Sequence, residues 1–367
     1  MTTIDTRARA VLRGLTTYTP GGSIEAVKRK LKGTSVIKLA SNENALGPSP
    51  KAVTALKAAA ADLHRYPDAG CVDLRAKLSK KLKVPAESII VGNGSDELIV
   101  LALRAFVDPG EGVVVAQPTF LIYEIQAKAC GAQVTVVPLK GLRYDLPAMA
   151  AAVTPHTKLV FIANPDNPTG TYVTKKELGV FLRDLPHETI VMLDEAYYEF
   201  ADAPDYPQSL AYVDDHPVIV TRTFSKAYGL AGLRVGYGVA QPSIIAAMNA
   251  VREPFNVNSL AQAAAAAALE DTVFLARTRR MVKDGRQYLT KSLDQLKVRH
   301  VPSAANFILV ELGPRAPDVV KALLGRGVMV REMSAWKLSG YLRVTIGTPA
   351  ENRKFIAALR SALGSRL

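Results

Sequence analysis

Cysteine is nearly absent: Cys71 and Cys130 are the only two in 367 residues. Two such thiols make neither a disulfide framework nor a cysteine-rich metal cluster, and this sparing use is expected of a protein kept in a reducing cytoplasm. Long apolar runs are also missing. The stretch Leu260–Leu269 is mostly alanine and falls short of the ~18 strongly apolar residues of a membrane span. Asp5, Arg7, Arg9, Arg13 and Glu25 interrupt the first 30 residues, so no secretory signal is read there. Neither GxxxxGK[ST] nor GxGxxG occurs, which argues against a P-loop nucleotide hydrolase and against the dinucleotide fingerprint. Acidic side chains are the scarcer sign of charge, 33 against 46 Lys and Arg, for a formal net charge of +13. Such a balance admits nucleic acid, an acidic membrane surface or anionic small molecules as partners. A nucleic-acid-binding protein is the weakest of these readings, because no zinc finger, RNP motif or alternating basic and aromatic tract occurs.

What is present is a chain rich enough in apolar residues, 49% against 22% charged, to bury a sizeable core. Short β-branched runs, each followed by turn residues and a helical pattern, read as repeated βα units and a largely parallel sheet. They cover Ser88–Val91, Gly112–Ala116, Gln133–Pro138, Lys158–Ala163, Thr189–Leu193, Pro217–Thr221 and Val235–Val239. Helices are predicted between them, among others at Asp96–Val107 and Lys175–Leu185. Beyond them a long basic helix is predicted over Thr272–Leu296, followed by strands at Asn306–Glu311, Gly327–Glu332 and Leu342–Ile346 and helices at Asp318–Leu324 and Glu351–Leu363. That mixture suggests a separate α+β unit. The expected division is a large domain over 35–275 and a smaller one made of 1–34 with 276–367.

In a doubly wound sheet, ligands bind beyond the carboxyl ends of the strands, so polar residues just after the strand runs are the candidates for chemistry. Four such places stand out. Gly92-Asn93-Gly94-Ser95-Asp96 joins a strand to a helix and offers backbone N–H groups to an anion. Asn164-Pro165-Asp166-Asn167-Pro168-Thr169-Gly170 sets the Asn167 amide at a strand end. Asp194-Glu195-Ala196-Tyr197 follows an apolar run, so Asp194 should be nearly buried and in need of a cationic partner, which a ligand could supply. Thr223-Phe224-Ser225-Lys226 sets a lysine beside an apolar strand, where desolvation and neighbouring cations lower an amine's pKa and expose a nucleophile.

Together these places supply what pyridoxal 5′-phosphate (PLP) chemistry requires. Lys226 can form the Schiff base, and Asp194 can pair with the pyridine nitrogen. Tyr197 and Asn167 can hydrogen-bond the phenolic oxygen. The amides of Gly94, Ser95 and Asp96, with Thr223, Ser225 and Arg234, can hold the phosphate.

The same residues resemble the fold type I aminotransferases, and within them the histidinol-phosphate aminotransferase family. The likeness runs through Tyr18-Thr19-Pro20-Gly21, Asn42-Glu43-Asn44, Arg65-Tyr66-Pro67-Asp68, Gly92 to Glu97, Asn167-Pro168-Thr169-Gly170, Asp194-Glu195-Ala196-Tyr197, Ser225-Lys226-Ala227-Tyr228-Gly229-Leu230-Ala231-Gly232-Leu233-Arg234 and Arg252 to Asn258. It implies the α/β fold of type I PLP-dependent transferases, a large domain with a mostly parallel sheet between helices plus a smaller α+β domain. Lys226, Asp194 and Tyr197 would be the catalytic residues. Phe120 matches the aromatic that stacks on the cofactor, where many members carry Tyr; stacking needs only the ring face, so the change removes a hydroxyl contact. Tyr66 matches a residue that reaches the cofactor phosphate across a homodimer with shared active sites.

Arg331 and Arg343 flank apolar strand residues, and guanidinium groups there can grip a phosphate or carboxylate through paired hydrogen bonds. The resemblance implies that both hold the phosphate of histidinol phosphate, helped by Tyr18, with Asn167 also near the substrate, and that Arg343 then holds the α-carboxylate of glutamate. The activity so implied is amino transfer between L-histidinol phosphate and 2-oxoglutarate in histidine biosynthesis. An aromatic amino-acid aminotransferase is the nearest rival, and a PLP-dependent decarboxylase of a phosphorylated amino acid a more distant one. The basic surplus fits anionic substrates in its distribution: residues 1–33, 275–300 and 321–367 carry 24 basic and 6 acidic side chains, whereas 34–274 carry 21 and 25.

Overall fold

Seven of the predicted runs lie side by side in one sheet of the computed structural model, which describes residues 5, 7–15, 17, 22, 24–31 and 35–364. Along the chain the strands are β1 (Ile37–Lys38), β2 (Ile89–Gly92), β3 (Gly112–Gln117), β4 (Gln133–Pro138), β5 (Thr157–Ala163) and β6 (Ile190–Asp194). They continue with β7 (Val218–Thr223), β8 (Gly236–Val239), β9 (Phe307–Glu311), β10 (Val328–Met329), β11 (Arg331–Glu332) and β12 (Tyr341–Thr345).

The large sheet has the order β2-β8-β7-β6-β5-β3-β4. Strands β4, β3, β5, β6 and β7 pair in parallel. β8 is antiparallel to both its neighbours, β7 and β2, so β2 runs with the majority. The central strands β6 and β7 are buried along their whole length. A strand covered on both faces has no solvent side to keep polar, hence the unbroken runs Ile190 to Leu193 and Val218 to Val220.

Helices cover the sheet by the same logic. Ser95–Phe106 buries Leu98, Ile99, Leu101 and Ala102. Lys175–Asp184 starts on a reciprocal cap, in which Thr174 accepts from the Glu177 N–H and Glu177 accepts from the Thr174 N–H. Because β2, β3, β5, β6 and β7 share one direction, their ends at Gly92, Gln117, Ala163, Asp194 and Thr223 fall along one edge of the sheet. The four sequence motifs thereby become neighbours in space.

The C-terminal part forms a smaller antiparallel sheet in the order β11-β12-β9, with the helices Thr272–Gln295, Ala316–Gly325 and Pro349–Gly364. One expectation changes here. Gly327–Glu332, expected as a single strand, has halves that pair in different sheets, β10 in parallel with β1 and β11 antiparallel with β12. The Ile37 and Leu39 N–H groups donate to the Gly327 and Met329 carbonyls, which commits the first half to another partner before Arg331 is reached. β1 lies on the large-domain side of the proposed boundary at residue 35 and so bridges the two proposed parts. A single apolar cluster includes residues of both sheets, with a satellite of Leu309, Met333, Trp336 and Leu338 beside it.

Candidate active site

A cavity of about 260 Å³ opens at the carboxyl edge of the large sheet. It gathers Ser95, Asp96, Phe120, Asn167, Asp194, Tyr197, Thr223, Ser225, Lys226, Arg234, Arg331 and Arg343. Gly94 directly precedes this wall. Tyr66 is not brought in: it is 83% exposed and stacks on Phe255 at 4.7 Å. Tyr18, also expected at the substrate, lies outside the described residues.

One end of the cavity is built to take an anion. Gly94, at φ +82°, is the N-terminal cap of the helix Ser95–Phe106, so Ser95 and Asp96 occupy its first turn. A Cβ on Gly94 would strike the Arg234 guanidinium, and one on Gly236 would lie 2.6 Å from the Ser95 nitrogen. The absence of both side chains lets the guanidinium and the helix terminus share one small space. Arg234 pairs with Asp96 at 3.2 Å and donates to the Ser225 hydroxyl at 3.3 Å. Thr223 Oγ1 accepts from the Ser225 N–H at 3.1 Å. Helix N–H groups, a guanidinium and two hydroxyls together suit a phosphate.

Asp194 ends β6 in the buried floor. Instead of the expected cation it meets neutral donors, the Tyr123 hydroxyl at 2.6 Å and the Ala196 N–H at 3.2 Å. Burial raises its pKa to about 6 against these two hydrogen bonds, and among the described residues no ion pair to it is formed. A carboxylate ionised at neutral pH thus faces the cavity with its charge uncompensated. Lys226 shows the opposite shift. Burial, then Arg343 and Arg234, lower its amine to about 8 against Asp96 and Glu43, and it donates to the Ser41 carbonyl at 3.3 Å. At neutral pH a usable fraction of this amine is unprotonated.

Between these groups lie Tyr197, whose hydroxyl accepts from Asn42 Nδ2 at 3.0 Å, and Asn167, whose carbonyl oxygen accepts from Arg343. Arg343, 6% exposed, also donates to the Ala40 carbonyl at 3.1 Å. It stands across the β11–β12 ladder from Arg331. Sequence reasoning assigned no role to Tyr123, Asn42, the Ser41 carbonyl or Trp336. Tyr123 gave no signal beyond that of an aromatic on a helix. Asn42, at φ +56°, lies in Asn42-Glu43-Asn44, and only the fold brings its amide to the Tyr197 hydroxyl.

A lysine whose amine is lowered to about 8, a buried carboxylate at the neighbouring strand tip and a phosphate cradle on a mostly parallel sheet define a fold type I PLP-dependent enzyme. The residues present fit that cofactor, since the cradle would be filled by a single Cβ on Gly94. Residues 34–359 match the model of the family Aminotransferase class I and II. The chain is 48% identical over 359 residues to the histidinol-phosphate aminotransferase of Moorella thermoacetica, covering 97% of this chain and 93% of that one. It is 45% identical over 357 residues to that of Symbiobacterium thermophilum, covering 97% and 98%. Among solved structures it resembles histidinol-phosphate aminotransferase from Sinorhizobium meliloti in complex with pyridoxal-5′-phosphate, with a TM-score of 0.91, 30% identity and 99% of each chain covered. The chain belongs to the class I and II aminotransferases and, within them, to the histidinol-phosphate aminotransferase family; it is a PLP-dependent aminotransferase.

Proposed function

We propose that this enzyme moves the amino group between L-histidinol phosphate and 2-oxoglutarate, yielding imidazole-acetol phosphate and glutamate for histidine biosynthesis. The observation that carries the reading is the presence of Arg331 and Arg343 in the cavity that holds Lys226 and Asp194. Two guanidinium groups beside the reacting amine suit a substrate with a phosphate at one end. The names of the relatives support it.

When bound, PLP supplies an electron sink for the substrate carbon that loses its proton. Lys226 would hold the cofactor and, as a free amine, move a proton to and from the reacting carbon. Asp194 keeps the pyridine nitrogen protonated. Tyr197 and Asn167 hydrogen-bond the phenolic oxygen, and Phe120 stacks on the ring. The amides of Gly94, Ser95 and Asp96, with Thr223, Ser225 and Arg234, hold the cofactor phosphate. Arg331 and Arg343 hold the donor's phosphate, with Tyr18 assisting, and Arg343 takes the α-carboxylate of glutamate in the second half of the cycle. Tyr66 reaches the cofactor phosphate across a two-fold homodimer; the exposed Leu63, Tyr66, Val72 and Phe255 provide the apolar surface such a contact would cover.

The deciding experiment compares amino donors at equal concentration. Histidinol phosphate is expected to exceed phenylalanine and tyrosine in kcat/KM by about 100-fold, and a preference for phenylalanine overturns the substrate assignment. Lys226→Ala should abolish both turnover and the absorbance of lysine-bound cofactor; a variant retaining both overturns the role of Lys226.

A further inference from the structure

Arg331 and Arg343 are directly opposed across the antiparallel pair β11–β12, which turns two positive side chains to the same face of a small sheet. Like charges in that relation destabilise a ladder, so something must hold them together before any anion arrives. One side chain meets both. The Arg331 guanidinium carbon lies 5.0 Å from the centre of a Trp336 ring and that of Arg343 6.0 Å. Trp336 closes the short turn Ser334–Trp336 just after β11 and is 1% exposed. It packs with Leu309, Met333 and Leu338, which fix the indole in place. Arg343 has further supports of its own, the Phe307 ring at 5.2 Å, Asn167 and the Ala40 carbonyl.

We propose that Trp336 is the positioning residue of the anion grip, a preset aromatic platform that gathers the two guanidinium groups and so sets the enzyme's preference for a phosphate-bearing substrate. The proposal rests on the reading that Arg331 and Arg343 hold the donor's phosphate. An indole face attracts both cations, and more strongly where water is excluded. With the arginines already gathered, the substrate does not have to order them, and that saving appears as affinity. The benefit is unequal between the two substrates. A phosphate dianion uses both guanidinium groups, whereas an α-carboxylate held by Arg343 alone keeps the supports from Phe307, Asn167 and Ala40. Removal of the indole therefore costs the phosphate donor most.

The test measures inorganic phosphate binding to the holoenzyme by calorimetry, alongside steady-state kinetics. Trp336→Leu should weaken phosphate binding about 10-fold and raise KM for the phosphate donor by a similar factor, with KM for 2-oxoglutarate and kcat changed less than about 2-fold; Trp336→Phe, which keeps a ring face, should recover most of the loss. Arg331→Ala and Arg343→Ala should bind phosphate worst of all. If the arginine variants lose phosphate and Trp336→Leu binds it as the wild type does, the inference fails and the arginine reading stands. If the arginine variants bind it unimpaired, both fail together. The wild type provides a check that needs no variant: Trp336 is the chain's only tryptophan, so its fluorescence should change on phosphate addition with the half-saturation found by calorimetry. An unchanged emission overturns the proposal.

Discussion

At Asp194 a single hydroxyl sets the chemistry of a charge. Tyr123, fully buried and stacked on Phe161 at 4.8 Å, donates to the carboxylate and also meets Phe120 edge-on at 5.5 Å. Tyr123→Phe keeps the packing and removes the donor, so the Asp194 pKa should climb above about 6. Less of the carboxylate is then ionised at neutral pH, and PLP affinity should fall about 10-fold. A cofactor titration monitored by absorbance at pH 7.5 measures this; affinity within twofold of wild type sinks the assignment. Buried acids also give the apoprotein a pH signature. Burial lifts Asp166 and Asp194 to about 6 and Glu199 to about 7. In each case the folded chain holds the proton more tightly than the unfolded one, so a stabilising contribution present in acid is lost as pH rises through those values. Thermal unfolding of the apoprotein should accordingly occur at a higher temperature at pH 6 than at pH 8. Glu199→Gln should narrow the difference, and an unchanged difference counts against Glu199 as its source.

Strand ends are where the fold places its chemistry, and a buried ion pair ties two of them together. Glu195, one residue past Asp194, pairs with Arg222, one residue before Thr223, at 2.8 Å with both side chains buried. The Arg222 guanidinium also lies 3.4 Å from the centre of the Tyr198 ring. Glu195→Ala would strand a buried cation and should cost about 3–5 kcal/mol in urea unfolding, whereas Glu270→Ala, which breaks an exposed pair with Lys77, should cost no more than about 1 kcal/mol. Equal effects would show that burial does not govern the pair. The elements themselves were largely legible in the sequence, because strands covered on both faces write unbroken apolar runs and Gly94 marks a helix start. Lys226 and Asp194 were legible for the same reason, as polar residues just past such runs. What stayed hidden was set by pairing between distant segments. Val328 to Glu332 carries no mark of the change of sheet at Val330, and nothing in Gly236 to Val239 states that β8 runs backwards. The contact of Trp336 with both arginines was equally hidden, since it depends on the register of β11 against β12.

Across the whole molecule the basic surplus lies where the sequence put it. Arg277, Arg279 and Arg280 are exposed on the helix Thr272–Gln295, and 34–274 is slightly acidic. A net positive charge draws anionic substrates toward the protein over a distance that salt shortens. Raising ionic strength from about 0.02 to 0.5 M should lower kcat/KM for histidinol phosphate at least about 3-fold; no dependence on salt would leave the surplus without a part in substrate capture. The reversed direction of β8 has its own consequence. The chain leaves β7 at Thr223, passes Lys226, and returns through Arg234 to enter β8 at Gly236 on the same edge. A parallel strand would have had to begin at the opposite edge of the sheet, which would have carried that arginine away from Lys226. The segment between Lys226 and Arg234 is thus a tether anchored at both ends, and Gly229, at φ +72°, has the Gly47 carbonyl where a Cβ would sit. Its contour length acts as a ruler between the reacting amine and the phosphate clamp. One added residue would change the spacing that this ruler sets.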